Sequence, residues 1–131
     1  MSSSDIRRAL HGMHDFQALS GASQEKIEEA EQALNLSFSD EYREYVSAFG
    51  AAVANGHELT GVCASLRLNV VDVTLSERLV NPAAPMNWYV VEQANIDGIV
   101  IWQARTGEIW QTMPNAQPIK LCDSLVDYIE L

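Results

Sequence analysis

Between Ser23 and Phe49 the chain carries two helical patterns joined by a link so short that the helices must be neighbours. Ser23 reads as an N-cap, with Glu25 in the first turn facing the positive end of the helix. Ile27, Ala30 and Leu34 fall on one face, and Glu25, Glu28, Glu29 and Gln32 on the other, which is the pattern of a surface helix with a buried stripe. The pattern ends near Asn35, and Leu36-Ser37-Phe38 connects it to a second cap, Ser39. Asp40 and Glu41 open the second helix, Tyr42, Tyr45, Val46 and Phe49 form its apolar stripe, and Asp40, Glu44 and Ser47 face outward. Gly50 is suited to close it.

The rest of the chain must cover these two stripes. Ile6, Ala9, Leu10, Met13 and Phe16 give a short helix over residues 5–16, weakened by Gly12, with a turn at Ser20-Gly21-Ala22. The periodicity fails from Ala51 to Gly61, where Asn55-Gly56 and Gly61 mark turns and His57–Thr60 has room for a short strand. Val70–Val80 reads as helix despite its β-branched content, stopped by Asn81-Pro82-Ala83-Ala84-Pro85. Trp88–Gln93 and Ile99–Gln103 flank Asn95–Gly98, and Asp97-Gly98 between two apolar runs signals a hairpin. Ile99–Trp102 is apolar on both faces, as a central strand would be. Thr106-Gly107 turns into Glu108–Thr112, and Ile119–Leu121 adds an edge strand after Pro114 and Pro118. Asp123 or Ser124 caps a final helix that turns Leu125, Tyr128 and Ile129 inward. The expected fold is α+β: N-terminal helices packed on an antiparallel β-meander, with a C-terminal helix, in one domain over residues 1–131.

Composition narrows the function. Eight Lys and Arg against 18 Asp and Glu leave a formal charge of −10, which disfavours nucleic acid and anionic membranes and favours a basic protein partner. The same charge also serves solubility alone. The start, Met1 to Arg8, has no apolar stretch of the kind a secretory leader needs, and runs such as Ile99–Trp102 are far too short to span a bilayer. A cytoplasmic protein is expected, with Cys63 and Cys122 as reduced, buried, structural thiols. Their spacing permits a disulfide, against which that compartment argues.

The order of these segments resembles the SUKH superfamily. Ala22–Leu34 is similar to its first helix and Ser37–Val46 to its second, an acidic helix followed by a capped Asp/Glu-Tyr helix and a Gly-containing turn. Members often carry Leu-Pro where this chain has Phe38-Ser39, and Asn-Gly-Gly where it has Gly50 and a later Asn55-Gly56. Asn69–Arg78, the hairpin around Asp97-Gly98 and Asp123–Ile129 extend the likeness over most of residues 13–131. The family includes a fungal regulator of cell-wall synthesis and many bacterial immunity proteins that neutralise polymorphic toxins, often nucleases. The resemblance implies a cytoplasmic binding protein without cofactor or catalytic residues, and it names no particular toxin.

Other constellations compete with that reading. His11 and His14 stand at i, i+3 and could share a metal with Asp15 or His57, although a short His pair is a weak signal. Glu92, Asp97 and Glu108 lie at predicted strand ends, where a carboxylate pair could hydrolyse a substrate. Trp88, Trp102 and Trp110 form either a stacking platform or, more commonly, a core. The sequence contains no Gly-x-Ser-x-Gly elbow and no Gly-rich phosphate cradle.

The acidic face is the strongest candidate. From Ser23 to Tyr45, Glu25, Glu28, Glu29, Glu31, Asp40, Glu41 and Glu44 stand against Lys26 and Arg43. Glu28, Glu29, Asp40 and Glu44 are the expected contacts for a basic toxin domain, such as a nuclease. A merely solvated helix face has the same sequence signature. Three functions therefore remain: an immunity protein, a regulatory or scaffolding module with an endogenous partner, and a small hydrolase.

Overall fold

The computed structural model describes residues 4–131; the first three residues of the start read above lie outside the described residues. Its centre is the expected helix pair, α2 (Gln24–Leu34) and α3 (Asp40–Phe49). Ser23 Oγ accepts the Lys26 N–H at 3.2 Å, and Asn35 ends α2 in the left-handed conformation at φ 53°. Ser39 Oγ accepts the Tyr42 N–H at 3.0 Å. The two stripes, Ile27, Ala30 and Leu34 against Tyr42, Tyr45, Val46 and Phe49, are buried as their spacing requires.

The meander forms a four-stranded antiparallel sheet in the order β4 (Tyr89–Gln93), β5 (Val100–Gln103), β6 (Ile109–Thr112), β7 (Ile119–Cys122). Alternation along the strands serves two cores. Tyr89, Val91, Ile101 and Ile109 join the core of α1 (Ser4–His11), α2, α3 and α5 (Leu125–Ile129). Val90, Val100 and Trp102 join a second cluster with Val73, Ala84 and Trp88, so the tryptophans serve packing. Trp102 is fully buried and donates its indole N–H to Thr112 Oγ1, while Trp88 stacks on half-buried Trp110 at 5.0 Å. Helix α4 (Val70–Val80) begins at its cap Asn69 and lies against β4, where Thr74 Oγ1 accepts the Val90 N–H at 3.0 Å. The fold is α+β and closes on the C-terminal helix.

Three expectations change. Helix α1 stops at His11 because the chain turns at Gly12; Phe16 keeps helical spacing in the sequence but packs edge-on against His11 and Phe49 from outside the helix. Ser20–Ala22 runs beside the end of α3, tied by the Ala22 N–H to the Val46 carbonyl, rather than making a turn. The short strand expected at His57–Thr60 is present as β3 (His57–Glu58), but two strands that periodicity did not reveal join it: β2 (Ala52–Ala54) lies between β1 (Gln17–Ala18) and β3 in a second, three-stranded sheet. Asn55 and Gly56, at φ 50° and 78°, form the two-residue turn joining β2 to β3, as an Asn-Gly pair favours. Tyr45 fixes this sheet from below, its hydroxyl accepting the Ala52 N–H at 2.9 Å and donating to the Thr60 carbonyl at 2.7 Å.

Candidate functional site

The outer surface of α2 and α3 begins with capped helices whose apolar stripes are spent on the core, which leaves their acids to the other side. Glu28, Glu29 and Asp40 are exposed and Glu44 is half-buried. Glu28 accepts from Gln24 Nε2 at 3.2 Å, and Glu29 pairs with Lys26 at 3.8 Å. Asp40 lies 3.9 Å from Arg43, and Glu44 pairs with Arg7 of α1 at 3.1 Å. Exposed pairs of this kind are weak and screened by salt. The four residues share the helix pair but not one cavity: Glu28 lines a groove with Gln32 and Asn35, Glu29 another with Ala22 and Val71, and Asp40 a third.

Two acids counted with this face are half-buried and spent on bonds within the chain. Glu31 accepts the Phe38 N–H at 2.8 Å and both Arg43 Nε at 2.9 Å and Nη2 at 2.8 Å, clamping α2 to α3. Glu41 points to α5, where Oε1 accepts the Leu125 N–H at 2.6 Å and Oε2 the Val126 N–H at 3.0 Å. Its carboxylate answers the otherwise unpaired donors of that helix start. Burial pushes the Glu41 carboxyl above its ordinary range, and the two amides pull against that shift. Of the stretch's acids, Glu25, Glu28, Glu29, Asp40 and Glu44 remain to face a partner.

A cleft of about 520 Å³ opens between the start of α3, the β5–β6 turn and α5, with Asp40, Glu41, Arg105, Asp123 and Asp127 on its walls. A buried polar chain lies behind it. The Tyr89 hydroxyl accepts the Ser39 N–H at 2.9 Å and donates to Gln103 Oε1 at 2.8 Å. Gln103 Nε2 donates to Glu41 at 2.9 Å and to the Gly107 carbonyl at 3.0 Å. Burial raises the Tyr89 hydroxyl above its ordinary range, so it stays a donor. These bonds join α3, the sheet and α5. The sequence marked Ser39 only as a cap, and nothing local distinguishes Gln103 from an exposed strand residue.

The competing constellations come apart. His11 packs against Phe16 and Phe49, His14 is exposed, and Asp15 accepts the Asn55 and Gly56 N–H groups. Those two backbone bonds hold the Asp15 carboxyl below its ordinary range. Among the described residues, no group of three or more His, Cys, Asp or Glu is placed to hold a metal ion.

Glu92 is buried, 2.8 Å from His57 Nδ1, and accepts the Glu58 N–H at 2.7 Å and the Tyr128 hydroxyl. Asp97 sits in an exposed turn at φ 54°, and Glu108 takes the Thr106 hydroxyl. The three carboxylates are therefore committed to different local structures. Cys63 and Cys122 are free and half-buried rather than buried, and burial pushes the Cys122 thiol up, away from the reactive thiolate. No helix among the described residues is long and apolar enough to cross a membrane.

The chain matches the family described as SUKH_5, SMI1-KNR4 cell-wall, over residues 5–130. A comparison with curated proteins finds no match.

Proposed function

The chain belongs to the SUKH superfamily, and on that premise we propose that it is a cytoplasmic immunity protein that binds and neutralises a polymorphic toxin domain without catalysis. The observation that carries this reading is the outward acid of α2 and α3, Glu28, Glu29, Asp40 and Glu44, on a chain of net charge −10. A basic domain such as a nuclease is drawn to such a surface before contact. The commitment of Glu92 to His57, Glu58 and Tyr128 gives that carboxylate a structural role instead of a catalytic one. The test reads the genes flanking that of this chain and co-expresses it with the toxin domain they are expected to encode. Cells survive if the reading holds; equal killing with and without the protein overturns it.

The cell-wall description of the matched family supports a second reading, a regulatory or scaffolding module with an endogenous partner. That reading expects reversible binding of modest affinity. Recovery of the adjacent toxin domain, and of no host protein, from an affinity purification excludes it.

A further inference from the structure

Helix α4 is apolar on two sides. Val70, Val73 and Thr74 enter the interior, yet Leu75 and Leu79, one helical turn apart, stand 46% and 85% exposed on the opposite side. Val80 and Met86, at 68% and 67% exposure, lie at and beyond the end of the helix, and Ile96, at 60%, lines with Val80 a groove of about 270 Å³ on the other flank of α4. The other large exposed apolar side chains, Leu19, Leu66, Ile119 and Leu131, are scattered over different elements. Single exposed apolar residues are ordinary, whereas a contiguous group marks an interaction surface.

The charges around this group define its occupant. Asp72 is exposed on the same side of α4, and Glu77 and Asp97 line the groove with Val80 and Ile96, where no Lys or Arg contributes. Arg78, the base of this helix, is spent on the chain itself: its Nη2 donates to the Met86 carbonyl at 2.6 Å and to the Leu34 carbonyl at 3.4 Å. The charge exposed beside Leu79 is therefore that of Asp72, and the groove on the other flank is acidic as well. A second copy would bring the same acids and another net charge of −10 against it, which opposes self-association. The complementary occupant has an apolar centre and a basic rim. Helix α4 also borders the acidic surface of α2, because Asn69 and Val71 share a groove with Lys26, Glu29 and Ala30.

We infer that the outer face of α4, at Leu75 and Leu79, is the surface on which a basic protein seats its apolar centre. The inference rests on the reading that the partner is a basic toxin domain, and it assigns separate duties. The acids of α2 and α3 speed the encounter, and Leu75 and Leu79 hold the complex once water has left.

The test titrates the catalytically inactivated toxin domain encoded beside this chain into the wild type, the double variant Leu75→Ser/Leu79→Ser, and Leu131→Ser as a distant exposed control. The double variant is expected to lose about 100-fold in affinity and the control to keep the wild-type value. Amide exchange on the wild-type complex, which needs no variant, is expected to slow over residues 72–86. Equal affinity for wild type and double variant, or unprotected amides there, overturns the docking surface and leaves the function intact. A toxin domain that the wild type does not bind overturns the function and this inference together. Sedimentation of the chain alone as a dimer that the double variant abolishes assigns the face to a second copy and overturns the inference while leaving the function.

Discussion

Glu92 joins β4 to β3 and to α5 through His57, the Glu58 amide and the Tyr128 hydroxyl, and it does so in the interior. An ionised carboxylate only accepts, so the proton of this His57 contact sits on Nδ1. Its Nε2 is buried without a hydrogen-bond partner among the described residues. Replacing Glu92 by Ala strands the Glu58 N–H and the Tyr128 hydroxyl together, for an expected loss of about 3 kcal/mol in a urea melt. Tyr128→Phe removes one donor and leaves Glu92 two others, so about 1 kcal/mol is expected. If both variants cost the same, the hub reading is wrong. Asp15 supplies a pH dependence of known sign. Its folded carboxyl is held down by the Asn55 and Gly56 amides, so its contribution is present above the unfolded pKa and lost as pH falls through the lower, folded one. Asp15→Asn is expected to flatten that part of the acid limb, read as urea midpoints between about pH 5 and pH 2. An unchanged limb shows that these bonds add nothing in solution.

Among the elements, α5 depends most on a residue outside itself. It runs only from Leu125 to Ile129, too short to persist alone. Glu41→Ala removes the acceptor of its first amides and is expected to cost about 2 kcal/mol, with faster amide exchange over residues 125–129 while α3 stays protected. Uniform loss of protection would instead mean that Glu41 supports the whole core. The crossing of the chain at Gly50 and Gly61 is equally unforgiving. Gly50 takes φ 67°, and a Cβ on Gly61 would lie 1.8 Å from the Gly50 carbonyl oxygen. Gly61→Ala is expected to cost about 3 kcal/mol, read by thermal or urea melting; a variant as stable as wild type would show that the backbone there can open.

These cases explain what the sequence could and could not reveal. Helices α2, α3 and α4 and the strands of the meander are legible because caps, Gly turns and apolar periods agree locally. Strand β2 is not, because Ala52-Val53-Ala54 has weak strand preference and is held by Tyr45 and two short neighbours. Glu31 and Glu41 looked like surface acids because helical period ranks faces but cannot see Arg43 or the amides of α5 arriving from elsewhere in the chain. The outward Leu75 and Leu79 were hidden for the same reason, since a helix with apolar residues on two sides does not say which side its neighbours cover.

For the whole molecule the surplus of carboxylates acts at a distance, and the apolar face of α4 acts at contact. The two ranges can be separated by kinetics. Glu28 and Glu29 are exposed while Ile27, Ala30 and Leu34 of the same helix stay buried, so Glu28→Lys/Glu29→Lys leaves the core stripe untouched. Folding is expected to change by no more than about 0.5 kcal/mol. Glu29 gives up only its weak 3.8 Å pair with Lys26, and the two reversals put positive charge where a basic partner approaches. Association with the adjacent toxin domain is expected to slow about tenfold at low salt, with a much smaller change in dissociation. The deficit is expected to shrink as salt rises, because the Debye length falls from about 30 Å at 0.01 M to about 10 Å at 0.1 M and about 3 Å at 1 M. Leu75→Ser/Leu79→Ser is expected to show the opposite signature, faster dissociation at every salt concentration. Stopped-flow mixing across a salt series reads both. Equal association rates for wild type and the charge-reversed variant at the lowest salt would leave the acids of α2 with solubility as their only role.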